Sequence, residues 1–421
     1  MIPAPPGAGA PDERRARAAW SRLAEPGDTA AGALVGLLGA VDSLAWVAEA
    51  LADGAGAGPG LPARALSRLT ASAGPLEATA RRRLGAALVR WAPRAGSLDP
   101  DRDLDLLAAL GGVLVHPGHP GWAPGLDDLG PAAPLCLWVR GDGDLAALGR
   151  RSVALVGARA CTTYGQHVAT DLAVGLVGRG FTVVSGGAYG IDAAAHRGAV
   201  VAGAPTVVLQ AGGVDRPYPA GNAALLSRVV ETGGAVVSEV PPGSVPSRTR
   251  FLLRNRLIAA SSRATVVVEA AWRSGALSTA GHATALLRPV GAVPGPVTSM
   301  ASAGCHRLLR DGSAVCVTDA AEVAELAGDL GADLAPARTG HAAETDGLGP
   351  EVRRVLDALP VVHPSSVASL GRAAGLGEAE VRGALGVLEL AGLAVRDGAG
   401  WSRRRRTSAG SAVAAPTGRS S

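Results

Sequence analysis

The residues with most chemical content are arginines set among apolar anchors and glycines. Arg248, Arg250, Arg254 and Arg256 crowd into the stretch "PSRTRFLLRNRLIAAS", interrupted by Phe251, Leu252 and Leu253. A solvated helix face rarely mixes anchors and cations this densely. Guanidinium forks fixed to a rigid surface suit a row of phosphates. Asn255, between two of the arginines, could orient backbone or ligand, and Phe251 could offer a stacking face to a base or sit in the core. A further arginine, Arg159, follows Gly157 in "VALVGARACTTYG", where an apolar run meets a helical pattern. Beside helix N-terminal amides, an arginine suits phosphate; it could equally pair with a surface carboxylate.

Two further loops carry polar, tight-turning residues. In "SGGAYGIDAAAH", the amides around Ser185 and Gly186 could hold a phosphate oxygen. Asp192 and His196 stand at i and i+4, stacked on one helix face. They read as an acid/base couple or as a structural pair that caps the helix and pins the loop. With no nucleophilic Ser or Cys nearby in sequence, the structural role is favoured. In "VVVEAAWRSGALSTAGHATAL", Ser274, Gly275, Ser278 and Thr279 make a helix start rich in hydroxyls and amides. Glu269, before it, is the acidic candidate for nucleotide hydrolysis.

A dinucleotide fingerprint requires G-x-G-x-x-G and a ribose-binding acid about 20 residues later. Here Ala158 and Arg159 follow the first glycine, and the second strand ends in "SGG" without a carboxylate. Both requirements fail, so no NAD or FAD is expected, and no cofactor at all. Glycine is so common, 59 of 421 residues, that a lone glycine motif carries little weight.

These loops need a scaffold. Val-rich runs ("SVALVG", "FTVVSGG", "PTVVLQAGG", "AVVSEV", "ATVVVEA") alternate with helical stretches and end in Gly, Ser or an acid. Near-continuous apolar strands between helices predict a parallel sheet buried on both faces, with ligands at its carboxyl edge. The predicted fold is α/β: a Rossmann-like, doubly wound, mostly parallel sheet, with a small helical N-terminal domain and a C-terminal winged-helix domain. The expected segments are a disordered 1–12, a helical domain over 13–98 of SAM or helix-hairpin-helix type, and a core over 99–330. A linker over 331–349, a winged helix over 350–402 and a disordered basic tail over 403–421 follow.

All 40 basic residues are arginine, and the net charge of +4 permits a nucleic-acid partner without requiring one. The four cysteines show no C-x-x-C spacing and no metal-ligand rhythm with His, so buried free thiols and no metal site are expected. No run is long and apolar enough to span a bilayer, and the expectation is a soluble cytoplasmic protein without a membrane partner.

In chain order, the blocks "HPGHPGWAPGLDDL", "PLCLWVRGD", "VALVGARACTTYG", "SGGAYGIDAAAH", "GGVDRPYPAGN", "SEVPPG", "RFLLRNRLIAA", "VVEAAWRSGALSTAGHA" and "VPGPVTSMASAGCHRLLRDGSAV" resemble the DprA/Smf family of DNA-processing proteins. The resemblance is dense from about Leu104 to Leu326 and extends, less specifically, to a winged helix over Pro350–Trp401. It implies a single-stranded DNA-binding protein of natural transformation that protects incoming DNA. It further implies help in loading RecA and a homodimer formed through the Rossmann-like core, with no established catalysis. Carried over residue by residue, it places Arg159, Arg248, Arg254 and Arg256 in the DNA pocket, with Ser185 and Gly186 at a phosphate-facing loop; Asn255, between two of these arginines, joins the candidate set. Gly157, Phe251, Ser274 and Gly275 are secondary candidates. Some members carry a lysine after the "YP" of the fifth block. Ala220 stands there, and Arg216 is the nearest substitute.

The rival reading is a nucleotide or nucleoside-monophosphate hydrolase of related fold, assisted by Glu269 or Asp192. Its P-G-G-x-G-T loop before a catalytic glutamate is missing. A third reading makes the winged helix a double-stranded DNA binder, but "EAEVRGALGVLELAG" carries only Arg382, which favours a protein contact instead.

Overall fold

The computed structural model describes residues 11–58, 60–336, 347–398 and 400–404. They form two compact units that divide after Pro336.

The first unit opens with six helices, α1 (Pro11–Leu23), α2 (Thr29–Leu38), α3 (Ala40–Ala52), α4 (Ala63–Ala73), α5 (Ala78–Ala95) and α6 (Pro100–Ala109). Then come β1 (Gly112–Val115), β2 (Leu137–Gly141), α7 (Leu145–Arg150), β3 (Ser152–Val156), α8 (Thr163–Val177), β4 (Thr182–Ser185), α9 (Ile191–Val201) and β5 (Thr206–Gln210). The chain continues through α10 (Ala223–Glu231), β6 (Ala235–Ser238), α11 (Arg248–Ala260), β7 (Ala264–Val267), α12 (Gly275–Ala285) and β8 (Val290–Ala292). It closes with α13 (Ala303–Arg310), β9 (Val315–Cys316) and α14 (Ala320–Ala327).

The nine strands make one sheet in the order β1-β2-β6-β5-β4-β3-β7-β8-β9. From β6 to β9 every neighbouring pair is parallel, and β2 and β1 are added antiparallel at one edge. The period-2 geometry of a strand sends Val153 and Leu155 to one face, and Ala154 and Val156 to the other. On the first face they join Leu172 of α8, Ala194 of α9 and Val323 of α14. The second face is covered by Leu257 of α11, Ala280 of α12 and Cys305 of α13. The chain fills the sheet from β3 outward to β6, then returns to place β7 on the other side of β3. That reversal makes the carboxyl ends of β3 and β7 the switch point, where neighbouring connections diverge and a crevice opens.

The helices of the expected small helical domain over 13–98 lie within the first unit. They keep a private core of Trp20, Trp46 and Trp91, with Trp20 edge-on to Trp91 at 5.2 Å. α1 is apolar on a second side as well, and Ala18 shares a cluster with Leu107, Leu114 and Trp138. Polar ties reinforce the join: Trp138 donates to Ser21 Oγ at 3.2 Å, and Arg22 grips Asp103 with two bonds of 2.6 Å.

The second unit holds α15 (Pro350–Ala358), α16 (Val367–Ala374) and α17 (Glu378–Leu390), followed by the antiparallel hairpin β10 (Ala394–Asp397) and β11 (Gly400–Arg403). Leu356, Leu370, Val381, Leu385 and Leu388 form its core. Three helices and a hairpin are the predicted winged-helix arrangement. The expected disordered ends lie mostly outside the described residues, although Pro11 and Asp12 open α1 and Arg403 closes β11. Of the cysteines, Cys136 and Cys305 are buried, whereas Cys316 is exposed because β9 lies at the sheet edge. No single described helix is long and apolar enough to cross a membrane.

Candidate nucleic-acid interface

The switch-point crevice is an open cleft of about 630 Å³. Its first wall is the turn after β3. A Cβ on Gly157 would press on Ile191 at 2.5 Å and on the Glu269 carbonyl at 2.9 Å, so the chain passes here only as glycine. Ala158 N donates to that carbonyl at 2.8 Å. The Glu269 carboxylate, 1% exposed, accepts from Thr162 N at 2.9 Å and from Thr162 Oγ1 at 2.5 Å. Thr162 in turn caps α8. Glu269 therefore locks the loop that presents Arg159. Arg159 itself is exposed, its guanidinium 4.6 Å from the centre of the Phe251 ring, and it has no carboxylate partner among the described residues.

The second wall is α11, and its four arginines go four ways. Arg248 is exposed in the cleft. Arg250 turns to the α1–α2 connection, donating to Glu25 at 2.9 and 3.0 Å. Burial pushes the Glu25 carboxyl up, yet Arg250 and Arg94 together hold it below its usual value. Arg254 is 6% exposed at the cleft floor. Its Nη1 donates to Gly186 O at 2.7 Å and also to Leu209 O, joining the ends of β4 and β5. Burial and the charge on Arg159 bring its pKa down to about 10, against the opposing pull of Asp192. Arg256 is not brought to the cleft. It makes two bonds of 2.8 and 2.6 Å to Glu239, and its Nε donates to Ala132 O at 3.0 Å.

The third wall is the start of α12. Ser274 caps the helix by accepting from Ala276 N at 3.3 Å, and Asn255 Nδ2 donates to Gly275 O at 3.3 Å. Asn255 thus orients backbone. A helix start favours anions, although Ala276 N and Leu277 N of this first turn already donate to Ser274. Two contributors were not singled out in the sequence. Arg273, exposed just before the cap, lines the cleft, as does Tyr218, 44% exposed and 5.5 Å from Phe251. Arg273 stands between a strand end and an N-cap, the context that marked Arg159, and so had a readable signal. Tyr218 lies in the "RPYPAGN" turn, whose approach to α11 is purely tertiary.

The phosphate loop expected at Ser185 and Gly186 is closed. Ser185 Oγ is buried and donates to Leu155 O at 2.6 Å. Gly186 N and Ala188 N donate to Asp192 Oδ2 at 3.2 and 3.3 Å. Burial raises the Asp192 carboxyl, opposed by Arg254 and by these amides. Asp192 and His196 do not form the structural pair expected of them. His196, fully buried, bonds through Nδ1 to Thr206 Oγ1 at 2.8 Å. Thr206 Oγ1 spends its own proton on Val183 O at 2.6 Å, so Nδ1 is the donor. Burial drives the His196 pKa down to about 3. Arg216 pairs with Asp215 at 3.5 Å and does not line the cleft, so it does not stand in for a cation at Ala220.

The family profile of DNA recombination-mediator protein A matches residues 113–328. A DNA-processing protein DprA from Mycobacterium tuberculosis is 46% identical over 368 residues, 84% of this chain and 93% of that protein. The chain belongs to the DprA/Smf family. Protein Smf of Escherichia coli is 39% identical over 44% of the chain and 49% of its own length. The X-ray structure of DNA processing protein A from Streptococcus pneumoniae superposes with a TM-score of 0.51 at 31% identity, covering 61% of this chain and 85% of that one. All three walls of the cleft, from Gly157 to Thr279, fall inside the stretch that matches the family.

Proposed function

We propose that the cleft holds single-stranded DNA by its phosphates and performs no chemistry on it. The observation that carries this reading is the set of exposed arginines, Arg159, Arg248 and Arg273, around the open start of α12. Half-exposed Tyr218 and Phe251 add flat apolar surface, the companion of cations in single-strand grooves. Family membership supports service in DNA uptake by natural transformation, with the strand protected and passed to RecA, and a homodimer formed through the Rossmann-like core. Arg254, Ser185, Gly186 and Asn255 act in this reading as supports beneath the surface that meets DNA.

The hydrolase reading has less support. Glu269 is engaged by Thr162, and Asp192 Oδ2 by two amides, which gives both carboxylates a structural role. A duplex-reading winged helix is equally unsupported, since Arg382 is paired with Glu378 at 2.8 Å and α17 also carries Glu380 and Glu389. A protein contact suits it better.

The test is filter binding with single- and double-stranded oligonucleotides, alongside incubation with nucleoside monophosphates. The expected result is preference for the single strand and no release of free base. Equal affinity for both DNA forms, or base release, would overturn the proposal.

A further inference from the structure

The turn after β4 has the parts of a phosphate site and fills it with its own side chain. Gly186 to Gly190 lead into the first turn of α9, where amides and the helix dipole favour an anion. Gly186 N and Ala188 N converge on one point, and Asp192 Oδ2 occupies it. A second group lies beside the same turn. Arg254 is more than nine-tenths buried and a Cβ on Gly186 would run into its guanidinium; its Nη1 is bonded to Gly186 O and Leu209 O, while its Nε has no hydrogen-bond partner among the described residues. Asp192 and Arg254 line the same cleft as Arg159. Two amides and a helix start at one carboxylate, with a buried cation beside the turn, are what a bound phosphate monoester would need.

We propose that Asp192 is a built-in anion, standing where a ligand phosphate would sit, and that it excludes small phosphates from the inner turn. A free nucleotide then gains no enclosed phosphate pocket, and only a ligand with several phosphates in a row engages the outer arginines. Asp192 is a specificity-determining residue that acts by occupying a site. The inference does not depend on what the outer cleft binds.

The test uses the full chain with Asp192→Ala and Asp192→Ser, and inorganic phosphate as the probe. Melting temperatures are followed against phosphate at constant ionic strength, and phosphorus NMR line widths of the probe are read in parallel. Both variants should melt several degrees below the parent and recover saturably with phosphate, and both should broaden the phosphate line. The parent should do neither. His196→Ala, a buried change on the same helix, should be destabilised without recovery, which separates refilling of a site from general salt stabilisation. If a variant does not fold, refolding with and without phosphate reads the same effect. Absence of phosphate-specific recovery in both variants, or the same recovery in the parent or in His196→Ala, overturns the proposal. Failure of DNA binding by the parent would bear on the outer cleft alone.

Discussion

Arg159 and Arg256 are the same residue type in the same family of motifs, and they have opposite roles. Arg159 is exposed above the Phe251 ring, ready to exchange a weak cation–π contact for a phosphate. Its replacement by alanine should lower single-strand affinity by about 1.5–3 kcal/mol, roughly ten- to hundredfold, with no change in urea stability. Arg256→Ala should do the reverse. It strands Glu239 in a place where the pair is almost fully buried, and loss of one partner from such a pair costs about 3–5 kcal/mol. Urea titration of both variants, beside oligonucleotide binding, checks the contrast. The spacing of "RTRFLLRNR" displays the cations but not the acids they meet, because Glu239 and Glu25 come from other elements. His196 gives a pH signature. It is neutral and buried, with a folded pKa of about 3 against the usual 6.5. Above the unfolded value neither state is charged; below it only the unfolded chain takes the proton. Stability should therefore fall by about 1.4 kcal/mol per pH unit below that value, and His196→Leu should flatten this part of the acid limb in urea melts.

At the scale of elements, α11 is the hub. It sends Arg248 to the cleft, Arg250 to Glu25, Arg254 to the ends of β4 and β5, and Arg256 to Glu239. Its anchorage predicts a graded response. Glu25→Ala should cost about 1 kcal/mol, less than a buried pair, since this one keeps partial contact with solvent. Glu239→Ala should approach the cost of Arg256→Ala, and the two together should cost much less than their sum in a double-mutant cycle. The parallel strands were legible in their Val-rich runs because a sheet covered on both faces leaves a near-continuous apolar signal. The loops were legible as turns, but their occupants were not. Ser185 and Gly186 have the right types for phosphate, yet Asp192, six residues beyond Gly186, takes the Gly186 and Ala188 amides. The docking of α1 onto the sheet also escaped the sequence. It rests on Ala18, Ser21 and Arg22, residues that look unremarkable until Trp138 and Asp103 are brought beside them.

At the scale of the molecule, net charge explains little: +4 over 421 residues is modest. What matters is that three cations without carboxylate partners among the described residues gather at a switch point whose remaining arginines are structurally engaged. Phosphate binding by three such groups has a defined salt dependence, because each neutralised phosphate releases counterions. For single strands the slope of log affinity against log salt is about −0.7 per contact, which gives about −2 for Arg159, Arg248 and Arg273 together. The most direct measurement is this slope for the parent chain and for the triple variant Arg159→Ala, Arg248→Ala, Arg273→Ala, with folding verified by urea melts. The slope should be near −2 for the parent and near zero for the variant at unchanged stability. A triple variant that keeps the parent's affinity and slope would contradict it.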